Sequence, residues 1–334
     1  MKWYPWLNAP YRQIVRQYQY RRGHHAILLH ASGGCGDDSL IYALSRWLIC
    51  RDTQEYKSCG KCHSCRLMIA GTYPDLYHMQ PETGKSGIGI ELIRQIIEKL
   101  YLHAHQGGTK VVLLPLVETL TEAATNALLK TIEEPPDQTY FLLGTREPAH
   151  LPATLRSRCF YLHIPTPTEE YALHWLNSQR PGHELSMRTA LRLNAGAPVA
   201  AFKVLTTNMW TQRMQLALGL KRTIPQQQWI QLLPLLDHDN FGDCLTWLCL
   251  FLLDALKINL GIKTTLANLD QQQLISHLAS VHTNKILQQQ LEQWIFCRHR
   301  LLTTIGLNRE LMLTRQLCLW SDSCSDKSGN EPRS

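Results

Sequence analysis

The stretch Ile27-Leu28-Leu29-His30-Ala31-Ser32-Gly33-Gly34-Cys35-Gly36-Asp37-Asp38-Ser39 decides the fold. An apolar run, a glycine-rich turn and the opening of a helix follow one another. In that context backbone N–H groups and a helix N-terminus can cradle phosphates. The helix leaving the loop, expected over Ser39–Ile49, places Leu40, Leu44, Trp47 and Leu48 on one face.

Aligned on its glycines, the loop has lost the residues that do its chemistry. Ala31 takes the place of the first glycine, Gly34 and Gly36 take the later places, and Asp37-Asp38 stand where a lysine and a hydroxyl residue would meet phosphates and magnesium. A carboxylate in contact with a polyanion is repelled by roughly several kcal/mol at an effective dielectric near 20. Nucleotide binding is therefore expected to be weak or absent, and Asp37, Asp38 and Ser39 are expected to cap their own helix. A separate position agrees, since the strand at Lys110–Leu114 runs into Pro115 and Leu116, where a phosphate-loop ATPase carries acidic residues for magnesium and water.

Outward from the loop, apolar runs at Ala26–Leu29, Leu76–Met79, Val111–Leu114, Tyr140–Leu143 and Phe160–Ile164 alternate with helical patterns. That alternation predicts an α/β layer fold on a largely parallel sheet. One helix, expected over Glu118–Ile132, stops at Pro135-Pro136. After Pro165 and Pro167 the strand signals cease and every pattern is helical. Boundaries at that proline pair and near Thr207-Asn208 divide the chain into an α/β domain (1–166), a small helical domain (167–207) and a larger helical domain (208–320). A polar tail over 321–334 is expected to be disordered.

Composition permits this plan. The chain has 334 residues, 44% hydrophobic and 18% charged, enough to bury two or three cores. Its most apolar run, Cys244 to Leu260, is interrupted by Asp254 and Lys257 and falls short of the ~18 apolar residues of a membrane helix, which excludes a membrane protein. The opening residues do not resemble a secretory signal, so a cytoplasmic location is expected. The net charge of +7 is spread evenly, with 18 Lys+Arg against 14 Asp+Glu over residues 1–165 and 16 against 13 beyond. Arg12, Arg16, Arg21 and Arg22 therefore read as solvated surface as readily as a DNA-facing set, and none is assigned to DNA. Trp229, Trp247 and Trp294 read as core.

Eleven cysteines in a reducing compartment point to metal or catalysis before disulfides. Cys59-x-x-Cys62-x-x-Cys65 follows Cys50 by nine residues, and four thiolates make a closed tetrahedral site. The spacing predicts one structural Zn²⁺ on Cys50, Cys59, Cys62 and Cys65, with His63 as an alternative ligand. A closed site leaves no position for substrate.

Two further runs carry a resemblance. Thr125-Asn126-Ala127-Leu128-Leu129-Lys130-Thr131-Ile132-Glu133-Glu134-Pro135-Pro136 and Thr154-Leu155-Arg156-Ser157-Arg158-Cys159 resemble the clamp-loader branch of AAA+ proteins, over nearly the whole chain. The resemblance implies a P-loop AAA+ three-layer αβα domain, a helical lid and an all-α collar whose closing helix would include Gly306–Leu313. It implies a non-ATPase subunit of a pentameric hetero-oligomeric ring that loads a sliding clamp onto primed DNA. The implied partners are motor subunits of the gamma/tau type and a clamp-opening delta subunit. By the same resemblance, Arg158, supported by Ser157, enters the neighbouring subunit's ATP site in trans, Val199 stands where a nucleotide-sensing arginine would be, and Cys50 is favoured over His63. Two other readings stay open: an active ATPase with an atypical loop, and a stand-alone zinc-containing nucleic-acid-binding protein.

Overall fold

The central strand is the one that leads into the glycine-rich loop. In the structure, a computed structural model describing residues 2–81, 87–105, 108–304 and 306–325, β1 (Ala26–Ala31) sits inside a five-stranded sheet. The other strands are β2 (Leu76–His78), β3 (Lys110–Leu114), β4 (Thr139–Thr145) and β5 (Phe160–Ile164), in the order β2-β3-β4-β1-β5. Every pairing is parallel, with Leu28 opposite Leu143 on one side and Tyr161 on the other. Parallel strands are covered on both faces and so read as unbroken apolar runs. That is why β1, β3 and β4 were visible in the sequence; β2 and β5, at the sheet edges, are only partly buried.

The helices of this unit are α1 (Asn8–Gln19), α2 (Asp37–Ile49), α3 (His63–Ala70), α4 (Ile90–Tyr101), α5 (Glu122–Glu133) and α6 (Ala153–Arg156). One face of the sheet buries Leu28, Val112, Leu114, Phe141 and Leu143 against Ile93, Ile96 and Leu100 of α4 and Leu128 and Ile132 of α5. Each such side chain contributes about 1.5–3 kcal/mol on removal from water. Gly144 is required where β4 passes the end of β3, because a Cβ there would lie 2.2 Å from the Pro115 carbonyl oxygen. The helix expected over Glu118–Ile132 starts later, at Glu122. Val117–Thr119 instead forms a 3₁₀ turn, Leu120 bridges to Ile88, and the Thr121 hydroxyl accepts from the Ala124 N–H at 3.3 Å and sets the new N-terminus.

The chain divides into two compact units, Met1–Pro167 and Thr168–Ser334. Among the described residues the second holds helices and no strand: α7 (Glu169–Gln179), α8 (Glu184–Leu193), α9 (Pro198–Thr206), α10 (Met209–Gln226), α11 (Leu233–Leu236), α12 (Phe241–Asn259), α13 (Gln272–Val281), α14 (Asn284–Thr303) and α15 (Arg309–Ser325). Its two expected helical domains lie within this one unit, tied by Arg192 of α8 donating to the Leu266 carbonyl at 2.8 Å. Trp229, Trp247 and Trp294 are core residues, with Trp229 stacked on Trp320 at 4.1 Å. Arg213 is fully buried and donates to Asp270 at 2.7 and 2.8 Å and to Asn268 at 2.8 Å.

The tail expected from Ser321 needs correction, since α15 continues through Ser325. Leu313, Leu317 and Trp320 anchor one side of that helix in the core, and the polar residues after them extend it. The rest of the tail lies outside the described residues. Among the described residues no helix is long and apolar enough to cross a membrane.

Candidate functional site

The glycine-rich loop closes on itself. Gly34 and Gly36 both adopt a φ of 84°, in the left-handed region that glycine enters without strain. Gly36 is the N-cap of α2, its carbonyl accepting from the Ser39 N–H at 3.0 Å. It also lies under an aromatic ring, since a Cβ there would sit 2.4 Å from Cδ2 of Tyr4.

Asp37, the first residue of α2, is buried, and its carboxylate pairs with the Arg146 guanidinium at 2.8 Å. Nη1 of Arg146 also donates to the Ala31 carbonyl at 2.9 Å. One guanidinium therefore bridges the end of β1 and the start of α2, the two elements between which a working loop holds phosphates. Burial pushes the Asp37 carboxyl up from its ordinary value, and Arg146 pulls it back only in part. The expectation that Asp37, Asp38 and Ser39 cap α2 shifts by position: the N-cap is Gly36, which has no side chain to offer, and Asp37 is the first residue inside the helix. Asp37 is turned to Arg146, Asp38 is exposed, and the Ser39 hydroxyl donates to the Lys2 carbonyl at 2.8 Å. Both carboxylates still lie in the first turn, at the positive end of the helix dipole.

The N-terminal segment completes the closure. Trp6 Nε1 donates to the Cys35 carbonyl at 2.7 Å, and Tyr4 stacks on Trp6 with centroids 5.1 Å apart. Burial pushes the Cys35 thiol up to about 11, so it stays protonated at neutral pH.

At the end of β3, Pro115 and Leu116 offer no carboxylate. The nearby acid is Glu118, which turns toward the end of β4. It accepts from the Thr145 hydroxyl and from the N–H groups of Arg146 at 2.7 Å and Glu147 at 2.9 Å. Burial raises its pKa, but these hydrogen bonds outweigh burial and hold the carboxyl below its ordinary value. Glu118 is thus spent on fixing the backbone that carries Arg146. Sequence reading missed both residues. The available signal was position, because Arg146 follows the strand that neighbours β1, and residues beyond the carboxyl ends of adjacent parallel strands share one crevice.

Arg158 lies in the turn between α6 and β5. Its Nε pairs with the Glu133 carboxylate at the end of α5, and Nη1 donates to the Thr154 carbonyl at 3.0 Å. The Ser157 hydroxyl donates to the same carbonyl at 3.1 Å, while Cys159 is buried beneath. The side chain of Arg158 remains 37% exposed, on a turn whose Ser157 and Arg158 N–H groups donate to the Ala153 and Leu155 carbonyls at 2.9 and 3.2 Å. In the second unit, Val199 is the second residue of α9, behind Ala197 as N-cap and Pro198.

The four cysteines converge. Sγ atoms of Cys50, Cys59, Cys62 and Cys65 all lie within 4.8 Å of one another, with Cys59 and Cys65 at 4.0 Å. A tetrahedral ion with ~2.3 Å metal–sulfur bonds fits such a set after slight contraction. Among the described residues, His63 is not part of the cluster. Backbone N–H groups already point at the sulfurs: Cys59 N–H to Cys50 at 3.2 Å, Cys62 N–H to Cys59 at 3.3 Å and Cys65 N–H to Cys62 at 3.4 Å. Burial raises the Cys62 thiol, yet N–H donors from Arg51 and Cys65 and bonds from its neighbour thiols bring it down to about 6. Such donors favour the thiolate that a metal requires.

Family matches run from residue 7 to residue 322. Residues 7–168 match the family described as DNA polymerase III, delta subunit, residues 167–205 match the AAA+ ATPase lid domain of DNA polymerase III subunit delta', and residues 207–322 match DNA polymerase III, delta subunit, C terminal. DNA polymerase III subunit delta' of Yersinia pestis is 52% identical over 97% of both chains, and that of Escherichia coli is 44% identical over 94% of both. The tau subunit of Escherichia coli is 34% identical over 49% of this chain and 26% of its own length. Among solved structures, a gamma-subunit-related protein of Thermotoga maritima is 18% identical, covering 95% of this chain and 99% of that one, with a TM-score of 0.48.

Proposed function

We infer function from one premise: the chain belongs to the family of DNA polymerase III delta' subunits. It acts as the clamp-loader subunit that does not turn over ATP, in a hetero-oligomeric ring with gamma/tau-type motor subunits and a clamp-opening delta subunit. That ring places a sliding clamp on primed DNA. The helical unit divides near Thr207 into a lid and a collar, and the collar carries ring assembly.

One observation carries the non-ATPase reading. Asp37 and Arg146 are already paired between β1 and α2, so a nucleotide would have to break a buried ion pair and displace Tyr4 and Trp6 to reach the loop. It would then meet a carboxylate where a lysine is needed, and Pro115 where a magnesium ligand is needed.

Arg158 supplies the catalytic contribution, in trans. A guanidinium on a rigid turn and partly exposed is free to be presented to a neighbour's γ-phosphate, where it offsets developing charge. Its hold on Glu133 is a half-exposed ion pair worth about 1 kcal/mol or less, which a polyphosphate partner readily replaces. Ser157 supports it by closing the turn onto Thr154. The four cysteines would hold one structural Zn²⁺ that ties the loop after α2 to the start of α3. Such an ion supplies folding energy, and no reaction step is assigned to it.

Mixing the chain with motor and clamp-opening subunits tests the assignment. A stable complex that loads clamp onto primed DNA supports it. An isolated chain that binds ATP at micromolar concentration, or that forms no complex, contradicts it.

A further inference from the structure

Beside the cysteine loop, a surface cavity of about 390 Å³ opens between α1, α2 and the segment that precedes Cys59. Its wall carries Arg12, Arg46 and Lys57 together with the rings of Trp3, Tyr11 and Tyr56, and contains no acidic residue. Among the described residues none of these three cations has a carboxylate partner. Arg12 lies over the Tyr56 ring at 5.6 Å and Arg46 over the Tyr42 ring at 5.9 Å. Nε of Arg46 is buried without a hydrogen-bond partner. Three unneutralised cations around one concave site leave a positive field that a partner of opposite charge would satisfy.

The site is built on fixed backbone. Gln54 and Lys57 bridge one another in a tight turn, with N–H to carbonyl distances of 2.9 and 2.8 Å. Tyr11 donates its hydroxyl to the Tyr56 carbonyl at 2.8 Å, and Arg16 Nε donates to the Tyr56 hydroxyl at 2.8 Å, pinning that turn onto α1. A second cavity of about 360 Å³ shares Trp3, Ala43 and Arg46 with the first, so the basic surface continues past one ligand unit.

We propose that this cavity is a binding site for single-stranded DNA, with phosphates held by Arg12, Arg46 and Lys57 and a base against Trp3 or Tyr56. Cations that track a backbone, interleaved with rings of which Trp3 is 38% exposed, are the pairing that sequence-independent strand binding uses. An acidic peptide would satisfy the charge but would leave the rings unexplained. The cavity has room for about one nucleotide, and its open continuation toward the second cavity favours a strand over a free nucleotide.

The test uses the full chain and a fluorescein-labelled dT20, read by anisotropy at 50 and 200 mM NaCl. The triple variant Arg12→Ala/Arg46→Ala/Lys57→Ala is expected to bind at least tenfold more weakly at 50 mM and to lower the slope of log K against log salt by about 2, as the loss of three strand-phosphate contacts requires. Trp3→Ala is expected to weaken binding severalfold at unchanged slope, the mark of lost stacking. Arg21→Ala/Arg22→Ala, outside the cavity, is the control for general basicity, and thermal unfolding verifies that each variant is folded. Unchanged affinity and slope in a folded triple variant would overturn the proposal. So would an equal loss in the control, equal affinity for blunt duplex DNA, displacement of dT20 by an equimolar amount of dTMP, or capture of a poly-glutamate peptide in place of dT20. None of these readouts involves the ring or ATP, so failure here leaves the clamp-loader assignment standing.

Discussion

Arg146→Met removes the guanidinium and leaves Asp37 as a buried charge without a partner. Asp37 is only 4% exposed, and Arg146 is its ion-pair partner at 2.8 Å. Stripping one partner from a buried pair costs about 3–5 kcal/mol. Arg146 is itself 32% exposed, so water can partly replace it, and the lower end, about 3 kcal/mol, applies. For a unit the size of Met1–Pro167 this corresponds to a fall of about 6–12 °C in the unfolding midpoint.

The pH dependence has a definite sign. Burial already raises Asp37 in the folded chain, and losing Arg146 removes the main opposing cause, so the pKa rises further. A raised folded pKa means stability that is present below the unfolded value and lost as pH rises through the folded one. The deficit of the variant relative to the parent should therefore be full at pH 7.5 and shrink as pH falls through the raised folded pKa, where the buried carboxyl takes up a proton and no longer needs a partner. Thermal or urea unfolding of the full chain at pH 7.5 and 5.0 measures this, with Asp37→Asn/Arg146→Met as the cycle partner that recovers most of the loss. A deficit below 1 kcal/mol at pH 7.5, or one independent of pH, would refute the claim that this pair fills the phosphate loop.

Other outcomes follow from the same geometry. Cys62→Ser should lower bound zinc from one to well under one per chain by metal analysis and increase protease cleavage between Cys50 and Cys65, whereas His63→Ala should leave zinc content unchanged. Gly36→Ala combines a φ of 84° with a Cβ 2.4 Å from the Tyr4 ring, and should destabilise the first unit by about 1–3 kcal/mol in urea unfolding. Asp270→Ala strips the buried Arg213 of both ion-pair bonds and should cost about 3–5 kcal/mol in the helical unit, with Asp270→Asn retaining part of it.

How much of this was legible in the sequence follows from how local each feature is. The inner strands β1, β3 and β4 were visible because they are buried along nearly their whole length, the edge strands less so, and the cysteine cluster because Cys59, Cys62 and Cys65 recur at every third position. Asp37 was recognised as the wrong residue for phosphate, but its true partner was not, because the contact joins two loops brought together only by the β1–β4 pairing; 115 positions separate Arg146 from Ala31. Glu118 escaped notice for the same reason: its hydrogen bonds run to the end of β4, not along its own segment. Periodicity carried the helix before Pro135 too far upstream, since Val117 and Leu120 continue the apolar spacing while Thr121 breaks the backbone pattern. The expected boundary near Thr207 falls inside one compact unit, where Arg192 of α8 bonds the loop that follows α12.

The central claim is that this chain works on a neighbour's nucleotide and not on its own. The direct measurement is DNA- and clamp-stimulated ATP hydrolysis by the reconstituted ring with Arg158→Ala, beside Arg158→Lys and with assembly verified by gel filtration. The expected result is an intact ring in which hydrolysis at the adjoining site falls by about 10³-fold or more, with little rescue by lysine, because a point charge does not reproduce the planar guanidinium. An intact ring that hydrolyses ATP and loads clamp at the parent rate would contradict it.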